Sequence, residues 1–251
     1  MSLTIKREKD AFGAELLAAY KVAGNAGWEI IERDDGLMDA SPAPRRYFSD
    51  YRDWYKRERQ AIKLARGRVL DIGCGAGRFL LHLQQKGFDV TGIDNSRGAV
   101  KVCKLRGVKD VRLRSIDEIA KFKPGSFDTV IMMGNNFGLF GGFNKAKRLL
   151  RQLHVITSAD GQIIAEAVDP YQTNEKLHLA YQKRNRARGR MSGQLRIRIR
   201  HQKVVGAWFD YLLVSQQEMK EVVAGTGWEI SRILPDKGPG YTAIIAKTKQ
   251  V

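Results

Sequence analysis

Between Val69 and Ser96 the chain passes from a short, mostly apolar run to a glycine-rich turn, a mixed segment and a second strand-like segment, VLDIGCGAGRFLLHLQQKGFDVTGIDNS. Val69 to Ile72 predicts a buried strand and about Asp89 to Ile93 a second strand. The mixed segment predicts an amphipathic helix over about Phe79 to Lys86. Strand, turn, helix and strand make half of a mononucleotide-binding β-α-β unit.

The same reading extends along the chain. Phe12, Leu16 and Tyr20 recur every four residues and predict a docked helix over Asp10 to Val22. Trp28 to Ala43 reads as irregular, with Asp34-Asp35-Gly36 as a turn and Pro42 and Pro44 as breakers. Arg45 to Ala65 reads as one amphipathic helix with Tyr47, Tyr51, Trp54 and Tyr55 near its start. Helices are expected at about Gly98 to Arg106, Asn144 to Ile156 and Gln216 to Ala224. Strands are expected around Val111 to Leu113, Phe127 to Met133, Gln162 to Val168, Trp228 to Leu234 and Tyr241 to Lys247. Arg196, Arg198 and Arg200 alternate with Leu195, Ile197 and Ile199, which predicts a strand with one basic and one apolar face. Val204 to Val214, with Trp208, Phe209 and Tyr211, is expected to pair with it.

The glycine turn carries the chemistry. Gly73, Gly75 and Gly77 let the backbone adopt positive φ and expose amides to a ligand. The following helix points its N-terminus at the same place, which suits a carboxylate or phosphate. Asp94 lies 21 residues after Gly73, at the end of the next strand, where its oxygens can accept both hydroxyls of a ribose. Together these describe a pocket for an adenosine-like ligand.

The spacing is G-x-G-x-G rather than the G-x-G-x-x-G of dinucleotide sites. VLDIGCGAGR with the acidic Asp94 resembles the signature of the class I S-adenosylmethionine-dependent methyltransferases. That resemblance implies an α/β fold, a doubly wound, Rossmann-like and mostly parallel sheet closed by an antiparallel C-terminal hairpin, with a small lid or insertion. It implies S-adenosylmethionine as cofactor, bound by a set comprising Asp71, Gly73, Cys74, Gly75, Gly77, Asp94, Asn95, Ile116, Asp117 and Gly134. Asp117 is either the acceptor for the adenine amine or an N-cap for the turn after it. Gly134 to Gly138 occupies the place of the reaction-facing loop. It lacks the prolines of the N-P-P-Y branch, so Asn135 and Asn136 are either catalytic or cofactor contacts, or an asparagine-glycine turn.

Asp169 and Tyr171 follow a strand's carboxyl end and are further catalytic candidates. Tyr47, Tyr51 and Trp54 either line a substrate pocket or pack on the sheet. Arg196, Arg198 and Trp208 either wall the site with groups suited to phosphate or carboxylate or form a solvated edge.

Composition adds one feature. Of 251 residues, 44 are Lys or Arg against 27 Asp or Glu, a net charge of +17 that points to a polyanion or acidic substrate as partner. A single domain is expected: a helical cap (1–65), a cofactor-binding core (66–170), a basic insertion or lid (171–214) and a closing helix and hairpin (215–251). No apolar run reaches the length of a membrane helix and MSLTIKREKD lacks a secretion core, so the expected location is the cytoplasm. Cys74 and Cys103 give neither a disulfide framework nor a metal spacing.

These features fit a methyltransferase for a small acceptor, acidic if the arginine strand faces it. They also fit an RNA methyltransferase using segment 176–203, or a non-catalytic nucleic-acid-binding protein of the same fold. A nicotinamide-dependent oxidoreductase is the fourth reading, and the glycine spacing counts against it.

Overall fold

The structure, a computed structural model, describes residues 9–23 and 27–248. The stretch read as lacking a secretion signal therefore lies mostly outside the described residues. In chain order the elements begin with α1 (Ala11–Lys21), β1 (Glu29–Arg33), β2 (Met38–Ser41), α2 (Ala43–Tyr47) and α3 (Lys56–Ile62). The nucleotide-binding half follows as β3 (Val69–Ile72), α4 (Arg78–Gln85), β4 (Val90–Asp94), α5 (Arg97–Leu105) and β5 (Val111–Leu113). Then come β6 (Phe127–Met132), α6 (Phe143–Ile156), β7 (Thr157–Val168), α7 (Lys176–Ala187), β8 (Gln194–His201), β9 (Val204–Val205) and β10 (Phe209–Leu212). The chain closes with α8 (Gln216–Val223), β11 (Trp228–Pro235) and β12 (Gly240–Lys247).

Seven strands form the main sheet in the order β11-β12-β7-β6-β3-β4-β5. Neighbours from β7 to β5 are parallel, and β12 runs antiparallel to both β7 and β11. The expected α/β, doubly wound sheet with an antiparallel closing hairpin is therefore present. Strand order reverses between β3 and β6, and the carboxyl ends at such a switch point are where a crevice opens. All four residues of β3 and all five of β4 are buried, as befits central parallel strands with helices on both faces. Leu80, Leu83 and Ile62 cover one face, and Leu149, Leu153 and Met219 cover the other.

A second, antiparallel sheet has the order β10-β8-β1-β2, with β9 also paired to β8. This corrects two expectations. Trp28 to Ala43 is not irregular: Asp34-Asp35-Gly36 turns a hairpin whose first strand pairs β8, Ile31 opposite Ile199 and Glu32 opposite Arg198. The amino-terminal part is thus not a purely helical cap, because it supplies two strands to the sheet begun by the insertion. Arg45 to Ala65 is not one helix either. It breaks into α2, a short 3-10 turn at Tyr51–Asp53 and α3, because Asp50 and Trp54 both take extended backbone. Ser158 to Gly161 bulge out of β7, where the register with β6 jumps from Phe127–Thr157 to Thr129–Gln162.

Candidate functional site

The second sheet roofs the switch point, and between them lies a cavity of about 930 Å³, within the usual range for a ligand site. Its floor is the glycine turn and the ends of β4 and β6, and its roof includes Ile31, Ile197, Ile199 and Trp208.

Gly73, Cys74 and Gly75 reach the wall. Gly75 has φ +55°, and a Cβ there would touch Phe12 at 3.7 Å and Tyr47 at 3.8 Å, both ordinary van der Waals contacts. Gly77 lies behind the wall as the left-handed N-cap of α4, packed near Val108 and Cys103. Asp94 accepts the Gly75 amide on Oδ2 and the Ser96 amide on Oδ1, both at 2.9 Å. Burial pushes its carboxyl up to about 6 although those two amides pull the other way. Each oxygen keeps a lone pair for a ribose hydroxyl. Asp71, 2% exposed, lines the same floor, and its Oδ2 has no hydrogen-bond partner. Burial and the charge of Asp94 push it up to about 8, with Arg78 opposing. Two neighbouring buried carboxylates, one with an orphaned oxygen, suit a ligand that combines ribose hydroxyls with positive charge, as S-adenosylmethionine does.

Asn95, Ile116, Asp117 and Gly134 also line the cavity. The N-cap after β5 is Ser115, with Glu118 completing its capping box, so Asp117 is not that cap. Its carboxylate lies 2.9 Å from Lys145 and 3.1 Å from Arg148. Asn136 donates to the carbonyls of Ile72 (2.9 Å) and Gly73 (2.8 Å), tying the reaction-facing loop to the glycine turn. Asn135 sits at φ +67°; its carbonyl accepts Tyr211 Oη at 2.6 Å and its Oδ1 is buried without a partner. Cys74 lies 4.0 Å from Cys103, and that contact together with burial holds its thiol well above the usual range, unsuited to nucleophilic work.

Several sequence-picked residues are elsewhere. Asp169 accepts the Tyr171 amide, while Tyr171, largely exposed, donates to Glu218; neither lines the cavity. Tyr51 stacks on His82 and Trp54 packs against Phe79, also off the wall, whereas Tyr47 is on it. Arg196 and Arg198 do not reach the cavity, because the apolar face of β8 is the one turned inward. Arg198 and Arg200 pair with Glu32, and Arg196 with Asp210 at 3.3 Å. The basic face reads outward, so it forms no guanidinium wall.

Other residues escaped the sequence reading. Asp10 caps α1 through the Gly13 amide (2.9 Å) and accepts both Ser96 Oγ and the Gly98 amide at 3.0 Å, fastening α1 beside Asp94. Glu29, on the cavity wall, accepts Tyr47 Oη at 2.9 Å. Buried Asp and Glu leave no periodic signal, since their partners are distant in sequence. Among the described residues no cluster of metal-ligating side chains occurs, and no helix is long and apolar enough to cross a membrane.

Residues 69–161 match a family described as a methyltransferase domain. A ubiquinone biosynthesis O-methyltransferase of Xanthomonas euvesicatoria is 40% identical over 122 residues, 47% of each chain. One of the same name from Dechloromonas aromatica is 45% identical over 83 residues, 31% of this chain and 34% of its own. These matches span about half or less of the relatives' length. Among solved structures, a SAM-dependent methyltransferase from Bacteroides fragilis in complex with S-adenosyl-L-homocysteine superposes with a TM-score of 0.82 at 26% identity, covering 98% of both chains.

Proposed function

We propose, from its glycine motif and its fold, that the chain is a class I S-adenosylmethionine-dependent methyltransferase and that it methylates a small molecule enclosed beneath the second sheet. The observation that carries this reading is the roofed cavity of about 930 Å³, whose lining joins Gly73, Gly75 and Asp94 to Asn135 and the inner face of β8. A polymer would have to enter under that roof, whereas a metabolite fits within it.

The cofactor supplies a methyl group on a positively charged sulfur, open to in-line displacement. The chain's own residues do the rest. Asp94 offers its free lone pairs to the ribose, and Asp71 offers its orphaned oxygen to positive charge on the same ligand. Asn136 holds the loop after β6 against the glycine turn, fixing acceptor side and cofactor side relative to each other. Holding reactants at a fixed approach supplies a large part of such a rate enhancement. Ile31, Ile197 and Ile199 present a dry ceiling. The relatives' printed name makes an O-methylated small molecule one instance of this class.

An acidic acceptor held by the arginines of β8 loses its support, since Arg196, Arg198 and Arg200 are ion-paired on the outer face. The decisive test is calorimetry of the full chain with S-adenosylmethionine, S-adenosylhomocysteine and NADH, with and without bulk RNA. Binding of both sulfur compounds, none of NADH and no dependence on RNA is the expected result. Failure of both sulfur compounds to bind refutes the reading.

A further inference from the structure

We propose that the acceptor is an amine, its ammonium held by Glu29 within a collar of aromatic rings; this deepens the methyltransferase reading and rests on it.

Glu29 begins β1, is 6% exposed, and lines the cavity. One of its oxygens accepts the Tyr47 hydroxyl. Beside it, on α1, stands Glu15, 1% exposed, with both carboxylate oxygens lacking any partner. Neither residue forms an ion pair with a cationic side chain among the described residues, although the chain has 44 Lys and Arg against 27 Asp and Glu. A buried carboxylate without a counter-charge is costly, and two close together more so. Burial and the neighbouring Glu29 push Glu15 up to about 8, and burial raises Glu29 as well.

The surroundings specify what kind of cation fits. Phe12 and Tyr47 meet edge to face at 5.4 Å, and Tyr211, close enough for the Glu29 charge to act on it, completes the collar. Aromatic faces and a carboxylate together favour an ammonium over a neutral or anionic group. The nearby ceiling of Ile31, Ile197 and Ile199 is apolar, so the rest of the ligand is apolar too. The collar is also in the right place. Phe12 and Tyr47 bound the space above Gly75, and the Tyr211 hydroxyl is anchored on the Asn135 carbonyl in the reaction-facing loop. A carboxylate there also accepts the proton that an ammonium must shed before its nitrogen becomes a nucleophile.

The test is calorimetry of the full chain, free and saturated with S-adenosylhomocysteine, titrated with 2-phenylethylamine, 2-phenylethanol and 3-phenylpropionate. These share a body and differ in the polar group. The amine is expected to bind at least about tenfold more tightly than the alcohol, with the acid weakest. Glu29→Gln is expected to bring the amine down to the level of the alcohol while S-adenosylhomocysteine affinity stays within about twofold, and Tyr47→Phe to weaken the amine less. Equal binding of the three compounds, no amine binding, or a parallel loss of S-adenosylhomocysteine in Glu29→Gln overturns the proposal. The last outcome would assign Glu29 to the cofactor, and the first two would leave Glu15 and Glu29 as a proton-sharing pair only. If wild-type protein fails to bind S-adenosylhomocysteine, the methyltransferase reading falls instead, and the amine titration of the free chain judges Glu29 by itself.

Discussion

Asp94 holds two backbone amides at once, so it shapes the glycine turn as well as offering itself to a ligand. Asp94→Ala is therefore expected to weaken S-adenosylmethionine by at least about tenfold and to lower stability by roughly 1–3 kcal/mol. Titration calorimetry and thermal melting check the two parts separately. Gly75 faces the rings of Phe12 and Tyr47 across the cavity wall, and its φ of +55° is one a branched side chain resists. Gly75→Val is expected to abolish cofactor binding in a protein that still melts cooperatively. Both positions were legible from residue type and spacing, because the turn and its acidic partner lie within one β-α-β unit. Glu29, Glu15 and Asp10 were not, since each acts through partners brought to it by the fold.

The roof is assembled at the scale of elements. Its strands come from β1 and β2 near one end of the chain and from β8 to β10 far beyond the core. Glu32 binds Arg198 and Arg200 across the β1–β8 junction. Glu32→Gln is expected to speed amide exchange in β1 and β8, with the difference shrinking in high salt as screening weakens the wild-type pairs. Helix α1 meets α5 where a Cβ on Gly98 would come within 2.3 Å of Gly13 Cα. Backbone cannot yield there, so Gly98→Ala is expected to lift α1 from its place beside Asp94 and destabilise by about 1–3 kcal/mol, measured by chemical denaturation. Periodicity identified β8 as a strand with a basic and an apolar face. It could not say which face turns inward, because alternation is symmetric until another layer packs against it.

Across the whole molecule, net positive charge and a carboxylate-rich interior oppose each other. Asp71 and Glu15 are pushed up to about 8 and Asp94 to about 6, all above ordinary carboxylate values. The folded state therefore keeps protons that the unfolded chain has already released, and stability falls with rising pH. Their contribution is complete below about pH 4 and is lost progressively up to about pH 8. Melting temperature without ligand is expected to decline across that window. Glu15→Gln is expected to recover about 2–4 °C at pH 8 for each kcal/mol regained, with no gain near pH 4. A flat profile for both proteins would refute the assignment.

Local order along the chain was enough to determine the nucleotide-binding half, from β3 through β6, together with the closing helix and hairpin. In those segments the apolar runs, the glycine turn and the acidic strand end act over a few residues, so sequence neighbours are spatial neighbours. Only the tertiary structure decided that 29–41 is a hairpin, that it joins β8 to roof the cavity, and that the arginines face away from it. Pairing between segments so far apart depends on which surfaces the core leaves open. The pattern within either segment does not carry that information.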